Sequence, residues 1–172
     1  MKIYINIKPG GMGGPSVFVK NFVEEAQRKG HKITYALEED CDSALNLVNA
    51  SGKLFSFCKK HNIKTVGRLD GFYIPSYWNN QDKHHRMTLD KIQTNNTMRH
   101  DLKNYDAVIY QSQWSKEMFN RWISKREDNV FVIHNGVNEK RFKPDRKKAK
   151  TNTVLMLGAL SHDYMMNTFF GA

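Results

Sequence analysis

"MKIYINIKPGGMGGPSVFVKNFVEEAQRKGHKITYAL" (1–37) decides the fold. Residues 1–7 alternate and are rich in β-formers, and "HKITYAL" (31–37) is built the same way. Between them Pro15 and Ser16 open a helix, because a proline in the first turn loses no hydrogen bond. Phe18, Val19, Phe22, Val23 and Ala26 then recur at helical spacing on one face. Arg28 and Lys29 suit the negative end of the helix dipole, and Gly30 supplies the stop. A strand–loop–helix–strand unit with short connections predicts parallel strands and a right-handed crossover.

The same alternation runs along the chain. "SALNLVN" (43–49) reads as a strand, "KLFSFCKKHN" (53–62) as a helix, and "IKTVGRLDG" (63–71) as a strand ending in a turn. A polar loop over 73–81 leads to a helix over 85–103, with Leu89, Ile92 and Leu102 on its inner face. Asn95, Asn96 and Arg99 interrupt that face; either they line a cleft or they face solvent, and solvent is the simpler reading. "YDAVIYQS" (105–112) is a buried strand, and Trp114, Met118, Phe119, Trp122 and Ile123 form the core stripe of the next helix. "NVFVIHNGV" (129–137) is a further strand, stopped by Asn-Gly. The pattern predicts an α/β fold: a doubly wound, Rossmann-like parallel sheet over 1–140. A basic linker is expected over 141–152, and 153–172, with "TVLMLGAL" at 153–160, as the start of an incomplete second domain.

Lys and Arg number 27 against 17 Asp and Glu in 172 residues, a formal charge of +10. Such an excess suits nucleic acid, an anionic membrane surface or a phosphorylated small molecule. The densest run, Lys140 to Lys150, is a solvated linker by default, because the aromatics follow helix periodicity instead of interleaving with charge. No nucleic-acid partner is therefore expected. Cys41 and Cys58 form no CxxC and read as free thiols in a reducing compartment. The N-terminus is too short in apolar residues for a signal peptide, and no segment has transmembrane length, so a soluble, cytoplasmic protein is expected. His84-His85, His100-Asp101 and His162-Asp163 have no partners at ligand spacing, so no metal is expected.

Four glycines in five positions, Gly10, Gly11, Gly13 and Gly14, fall between the first strand and the first helix. In a doubly wound sheet that is the ligand-binding edge, and unpaired N–H groups at a helix N-terminus favour phosphate. A tight turn needing positive φ explains one or two of these glycines more easily than four. No Lys-Ser or Lys-Thr follows them, which excludes a P-loop. Ser16 holds the third position of a dinucleotide fingerprint, yet Glu38 or Glu39 ends the second strand, so an NAD-type, stand-alone nucleotide-binding protein is the competing reading. Asp40-Cys41-Asp42 has the D-x-D spacing of metal-dependent sugar transferases, a match that acidic turns produce by chance.

"GGMGGPSVFVKNFVEEAQRKGH", "VGRLDGFY", "DAVIYQSQWSKEMF" and "VIHNGVNEKRFKP" occur in an order and spacing that resembles the N-terminal half of the family 4 retaining glycosyltransferases, which have the two-domain GT-B fold. The resemblance implies transfer of a sugar from a nucleotide-sugar to the hydroxyl of a carbohydrate or lipid-linked acceptor, with retention and without a metal or other cofactor. A lipid acceptor admits a peripheral membrane contact. The resemblance places Gly11, Gly13 and Gly14 near the donor's diphosphate and sugar. Arg68 and Asp70 sit at a strand's carboxyl end, where a guanidinium can pair with phosphate or carboxylate and a carboxylate can hold hydroxyls or take a proton. A mutual ion pair is their equal alternative. Gln111 and Ser112 can reach a polar ligand, although Ser112 better suits a helix cap, and Asn135-Gly136 is chiefly a turn. In that family most donor contacts belong to a second domain, so this chain alone is expected to be inactive unless a further domain or a separate chain supplies them.

Overall fold

The computed structural model describes residues 1–10, 14–47, 50, 52–73, 89–137, 139 and 143. Two compact units divide the chain, Met1–Val137 and Asn138–Ala172, and the sheet belongs to the first. The expected linker and the strand at 153–160 lie outside the described residues, apart from Lys143.

Six parallel strands and four helices are described: β1 (Lys2–Ile5), α1 (Gly14–Arg28), β2 (Lys32–Thr34), β3 (Ser43–Leu47), α2 (Gly52–Lys60), β4 (Lys64–Leu69), α3 (Leu89–Asn104), β5 (Ala107–Tyr110), α4 (Gln113–Trp122) and β6 (Val130–Val132). The strand order is β2-β1-β3-β4-β5-β6, a Rossmann-like doubly wound sheet whose order reverses between β1 and β3. Register is in step throughout, with Tyr4 opposite both Thr34 and Ala44, and Arg68 opposite both Leu47 and Ile109.

Opposite faces of the sheet bury separate apolar clusters. Alternation on β1 and β3 sends Ile5, Leu45 and Leu47 to Val19 on α1, with Phe18, Phe22 and Val66 against them. On the other face Ala44, Leu69, Val108 and Tyr110 meet Leu54 and Cys58 of α2, Met98 and Leu102 of α3, and Phe119 of α4. The reversal of strand order separates the faces, since a right-handed crossover to the left of β1 and one to its right lie on opposite sides.

Helix ends follow from single residues. Gly30 takes a φ of +81°, and the His31 N–H reaches back to the Ala26 carbonyl at 2.9 Å, closing α1 in a Schellman turn. Asn62, at a φ of 55°, ends α2 the same way through Ile63 N–H and the Cys58 carbonyl. Ser112 is the N-cap of α4, its Oγ accepting the Ser115 N–H at 3.0 Å. Arg99 donates to the Ile123 carbonyl and Arg126 to the Leu102 carbonyl, so two guanidiniums satisfy groups that helix ends leave open, and Arg126 also reaches the Asp106 carbonyl just before β5.

The inner face of α3 differs from expectation. Leu102 is buried as expected, but Leu89 and Ile92 are exposed, at 82% and 41%, and Asn95, Met98 and Asp101 are buried in their place. Asn95 neither lines a cleft nor faces solvent: its amide pairs with both the N–H and the carbonyl of Tyr73, fixing the chain after β4. Asp101, pushed up by burial, accepts the Ala50 N–H at 2.8 Å. Trp114, assigned to the core stripe, is 65% exposed, and Phe119 and Ile123 carry the packing of α4.

Gly67 permits a close approach of Tyr105, the residue after α3, to the sheet. A Cβ there would lie 2.4 Å from the Tyr105 ring, which is held in a buried site between strands and helix. Gly67→Ala is expected to lower unfolding free energy by about 2 kcal/mol through overpacking, measured by urea denaturation; an unchanged midpoint would show that Tyr105 can give way.

Candidate functional site

Parallel pairing puts the carboxyl ends of all six strands on one edge, and four of the residues expected to bind substrate meet there. Arg68 lies on β4 two residues beyond Val66, so it shares the face that α1 covers. It is only 4% exposed. The Phe18 ring of α1 covers its guanidinium at 3.8 Å, a cation–π contact in a desolvated place.

Around that cation the side chains close a ring. Arg68 Nη1 donates to Asp70 Oδ1, and Nη2 donates to Asn135 Oδ1 at 2.7 Å. Asn135 Nδ2 donates to Gln111 Oε1 at 2.7 Å, and Gln111 Nε2 donates back to Asp70 Oδ1. Gln111 also reaches the Leu69 carbonyl at 3.3 Å. The ends of β4 and β5 and the segment after β6 are thereby tied through side chains beyond the backbone ladder. Asp70 Oδ1 receives two donors, whereas Oδ2 is buried and has none among the described residues.

Both ionisable members feel their burial. Desolvation lowers the Arg68 pKa against the opposing pull of Asp70, and raises that of Asp70 against the opposing pull of Arg68. The ion pair expected as the structural role of these two residues is therefore present, and it only partly compensates for the loss of water. A carboxyl shifted upward, with one oxygen free of donors, is suited to accept a hydroxyl proton or a hydrogen bond.

Other expected site residues are placed differently. Ser112 spends its hydroxyl on the α4 cap and does not join the ring. Gly136 does not adopt the positive φ of an Asn-Gly turn; the dipeptide instead presents Asn135 to Arg68 and Gln111. Gly11 and Gly13 lie outside the described residues. Gly10 has a φ of +126°, and its N–H donates to Ser16 Oγ at 3.2 Å, tying the loop's start to α1. Gly14 opens α1, exposed and with nothing within 4 Å of where a Cβ would stand, so the fold itself does not require glycine there.

Two contributors escaped the sequence reading. Asn6 follows β1 at the reversal point and exchanges hydrogen bonds with the N–H and carbonyl of Leu47, both at 2.9 Å, continuing the ladder by one rung. A polar residue between Ile5 and Ile7 was its only signal. Phe18 fits a core stripe and gives no hint that an arginine lies on its ring.

The acidic residues of the competing reading lie at the other edge. Lys2 Nζ pairs with Glu38 and Asp40, and the Lys2 N–H donates to Asp42 Oδ2 at 2.6 Å, all beside the amino end of β1. Glu38 thus stands away from the edge where a ribose would bind, and both aspartates of the D-x-D stretch are occupied by Lys2. His61 approaches Glu39 at 3.6 Å. Among the described residues no group of three His, Cys, Asp or Glu is arranged to hold a metal ion. Cys41 and Cys58 are buried free thiols, the latter pushed up to about 11 by desolvation. A cavity of about 420 Å³ between Leu102 and Asp128 opens where Arg126 caps α3, remote from the ring. No helix among the described residues is long and apolar enough to cross a membrane.

Fold and edge define a Rossmann-like α/β domain with a polar side-chain ring at the carboxyl ends of β4, β5 and β6. Compared with known proteins, the chain matches no family model and no curated protein.

Arg68→Met tests the electrostatics of the ring. Removing the cation leaves Asp70 half-buried with less to oppose desolvation, so its carboxyl titrates at still higher pH in a ¹³C NMR series. A raised folded pKa gives stability that is present below the unfolded value of about 3.9 and lost as pH rises through the folded value. The variant is therefore expected to lose about 3 kcal/mol at neutral pH and less near pH 4. An unmoved Asp70 midpoint would contradict the coupling.

Proposed function

We propose that this domain is the acceptor side of a retaining glycosyltransferase of the GT-B type, acting on a nucleotide-sugar and a carbohydrate or lipid-linked acceptor in the cytoplasm. The observation that carries the reading is the ring: Arg68, Asp70, Gln111 and Asn135 come from three separate motifs of the family resemblance and converge at the edge where such sheets bind ligands. A buried guanidinium, a partly buried carboxyl and a partly buried amide, those of Arg68, Asp70 and Gln111, presented together are the chemistry that recognises sugar hydroxyls, and an unpaired polar group in the site penalises any ligand unable to satisfy it.

In this reading the ring opens to uncover Asp70 Oδ2, which then receives an acceptor hydroxyl while Arg68 holds the carboxylate in place. The glycine loop approaches the donor diphosphate, helped by the N-terminus of α1 and by Gly14, whose missing side chain the fold does not demand. Neutralising the departing diphosphate falls to a second domain, in this chain or another, so the transfer step needs both halves. Peripheral contact with a membrane follows if the acceptor is a lipid. The dinucleotide alternative is disfavoured by the position of Glu38, bound to Lys2 at the opposite edge.

An NMR titration of the full chain with a panel of methyl glycosides tests the proposal. Amides at 68–71, 111–112 and 135–136 are expected to shift, and Asp70→Ala to weaken binding about 10-fold or more, the loss of a hydrogen bond to a charged group. Shifts mapping to another edge, or tight NAD binding with no response to glycosides, would overturn it.

A further inference from the structure

From the geometry of the ring we infer that Asn135 is a displaceable occupant of the site, holding the place of a vicinal diol. The inference rests on the sugar-binding reading above and adds to it the substituent pattern selected and the step that admits the ligand.

The four ring members are unequal. Arg68 is 4% exposed, Asp70 and Gln111 are partly buried, and Asn135 is exposed. Asn135 lies in 133–137, a segment without regular secondary structure whose residues are all exposed. The Ile133 N–H still extends the ladder to the Tyr110 carbonyl at 2.9 Å. Beyond it, among the described residues, the hydrogen bonds of 134–137 are the two made by the Asn135 side chain. Gly136 has nothing within 4 Å of a Cβ position. One carboxamide therefore fastens this segment to a buried cation, and releasing it breaks two hydrogen bonds without disturbing the core.

What that carboxamide offers defines its replacement. Along one edge, a primary amide presents an acceptor to Arg68 Nη2 and, beside it, a donor to Gln111 Oε1. Two neighbouring hydroxyls reproduce the pair, one accepting and one donating. A secondary acetamido group does not, because its N–H and carbonyl point in opposite directions across a trans amide. A diol restores both bonds, and one of its hydroxyls, or a neighbouring one, can also donate to Asp70 Oδ2, the buried oxygen that the closed ring leaves without a donor. The exchange thus favours sugars with free adjacent hydroxyls over those bearing an acetamido group at that position.

The test uses the full chain, with methyl α-D-mannopyranoside, methyl α-D-glucopyranoside and methyl N-acetyl-α-D-glucosaminide as probes. Backbone ¹⁵N order parameters at 134–137 are expected near about 0.85 in the free protein and below about 0.6 in Asn135→Ala or on saturation with a diol-bearing glycoside. Asn135→Ala is expected to bind that glycoside about 10-fold more tightly, because the competing occupant is gone. Weaker binding by Asn135→Ala would make Asn135 a ligand-holding residue and overturn the inference while leaving the sugar site standing. Binding with unchanged order at 134–137 overturns displacement alone. Failure of both proteins to bind any glycoside overturns displacement together with the reading beneath it, and preference for the acetamido probe overturns the diol assignment.

Discussion

A buried guanidinium constrains this end of the molecule. Taking a cation out of water costs several kcal/mol, and the cost is offset only when its donors and its flat face all find partners. Arg68 uses an aromatic ring from α1, a carboxylate two residues along its own chain, and an amide 67 residues away. Each partner draws another element into register: Phe18 places α1, Asp70 places the chain leaving β4, and Asn135 places the chain leaving β6. Gln111 completes the circuit from the end of β5. The carboxyl edge is thus held by side-chain electrostatics, whereas the sheet below it is held by apolar packing.

That division of labour follows from the topology. Order reversal between β1 and β3 leaves α1 on one face and α2, α3 and α4 on the other among the described residues. A residue at the end of β4 on the α1 face reaches a region with a helix on one side and the open edge above. At the reversal itself Asn6 holds β1 to β3 where their connections diverge. At the amino edge charge has a different task. Lys2 gathers Glu38 and Asp40 beside the start of β1, and Asp106, despite a desolvation cost, is held below the usual carboxylate range by the Thr65 N–H and hydroxyl and by Lys64. These contacts fix turns at an edge that carries no candidate site.

Much of the fold was legible because it depends on short-range periodicity. The alternation in 1–7, the stripe from Phe18 to Ala26 and the Gly30 stop determine a βαβ unit from contiguous residues, and the structure has it. The inner face of α3 was not legible: Asn95 faces inward because it pairs with the Tyr73 backbone, a partner 22 residues away that no local pattern encodes. Leu89, Ile92 and Trp114 misled for a related reason: helical spacing alone assumes a neighbour to pack against, and all three, in the first turns of their helices, are exposed. For the site, residue types and strand-end positions picked out Arg68, Asp70, Gln111 and Asn135. The Ser112 cap was also legible, as a serine directly before a helix. Closure of the four residues into one ring required three-dimensional register, as did the finding that Asn135-Gly136 is not a positive-φ turn.

The central claim is that Arg68 is immobilised by this ring at an edge that receives a saccharide. Side-chain NMR of the arginine Nη protons reports it directly. The account predicts separate, slowly exchanging Nη resonances for Arg68 in the free chain, and a shift in the Nη2 signals when a diol-bearing glycoside replaces Asn135. A single averaged Arg68 resonance, unaffected by any glycoside, would contradict both the immobilisation and the site.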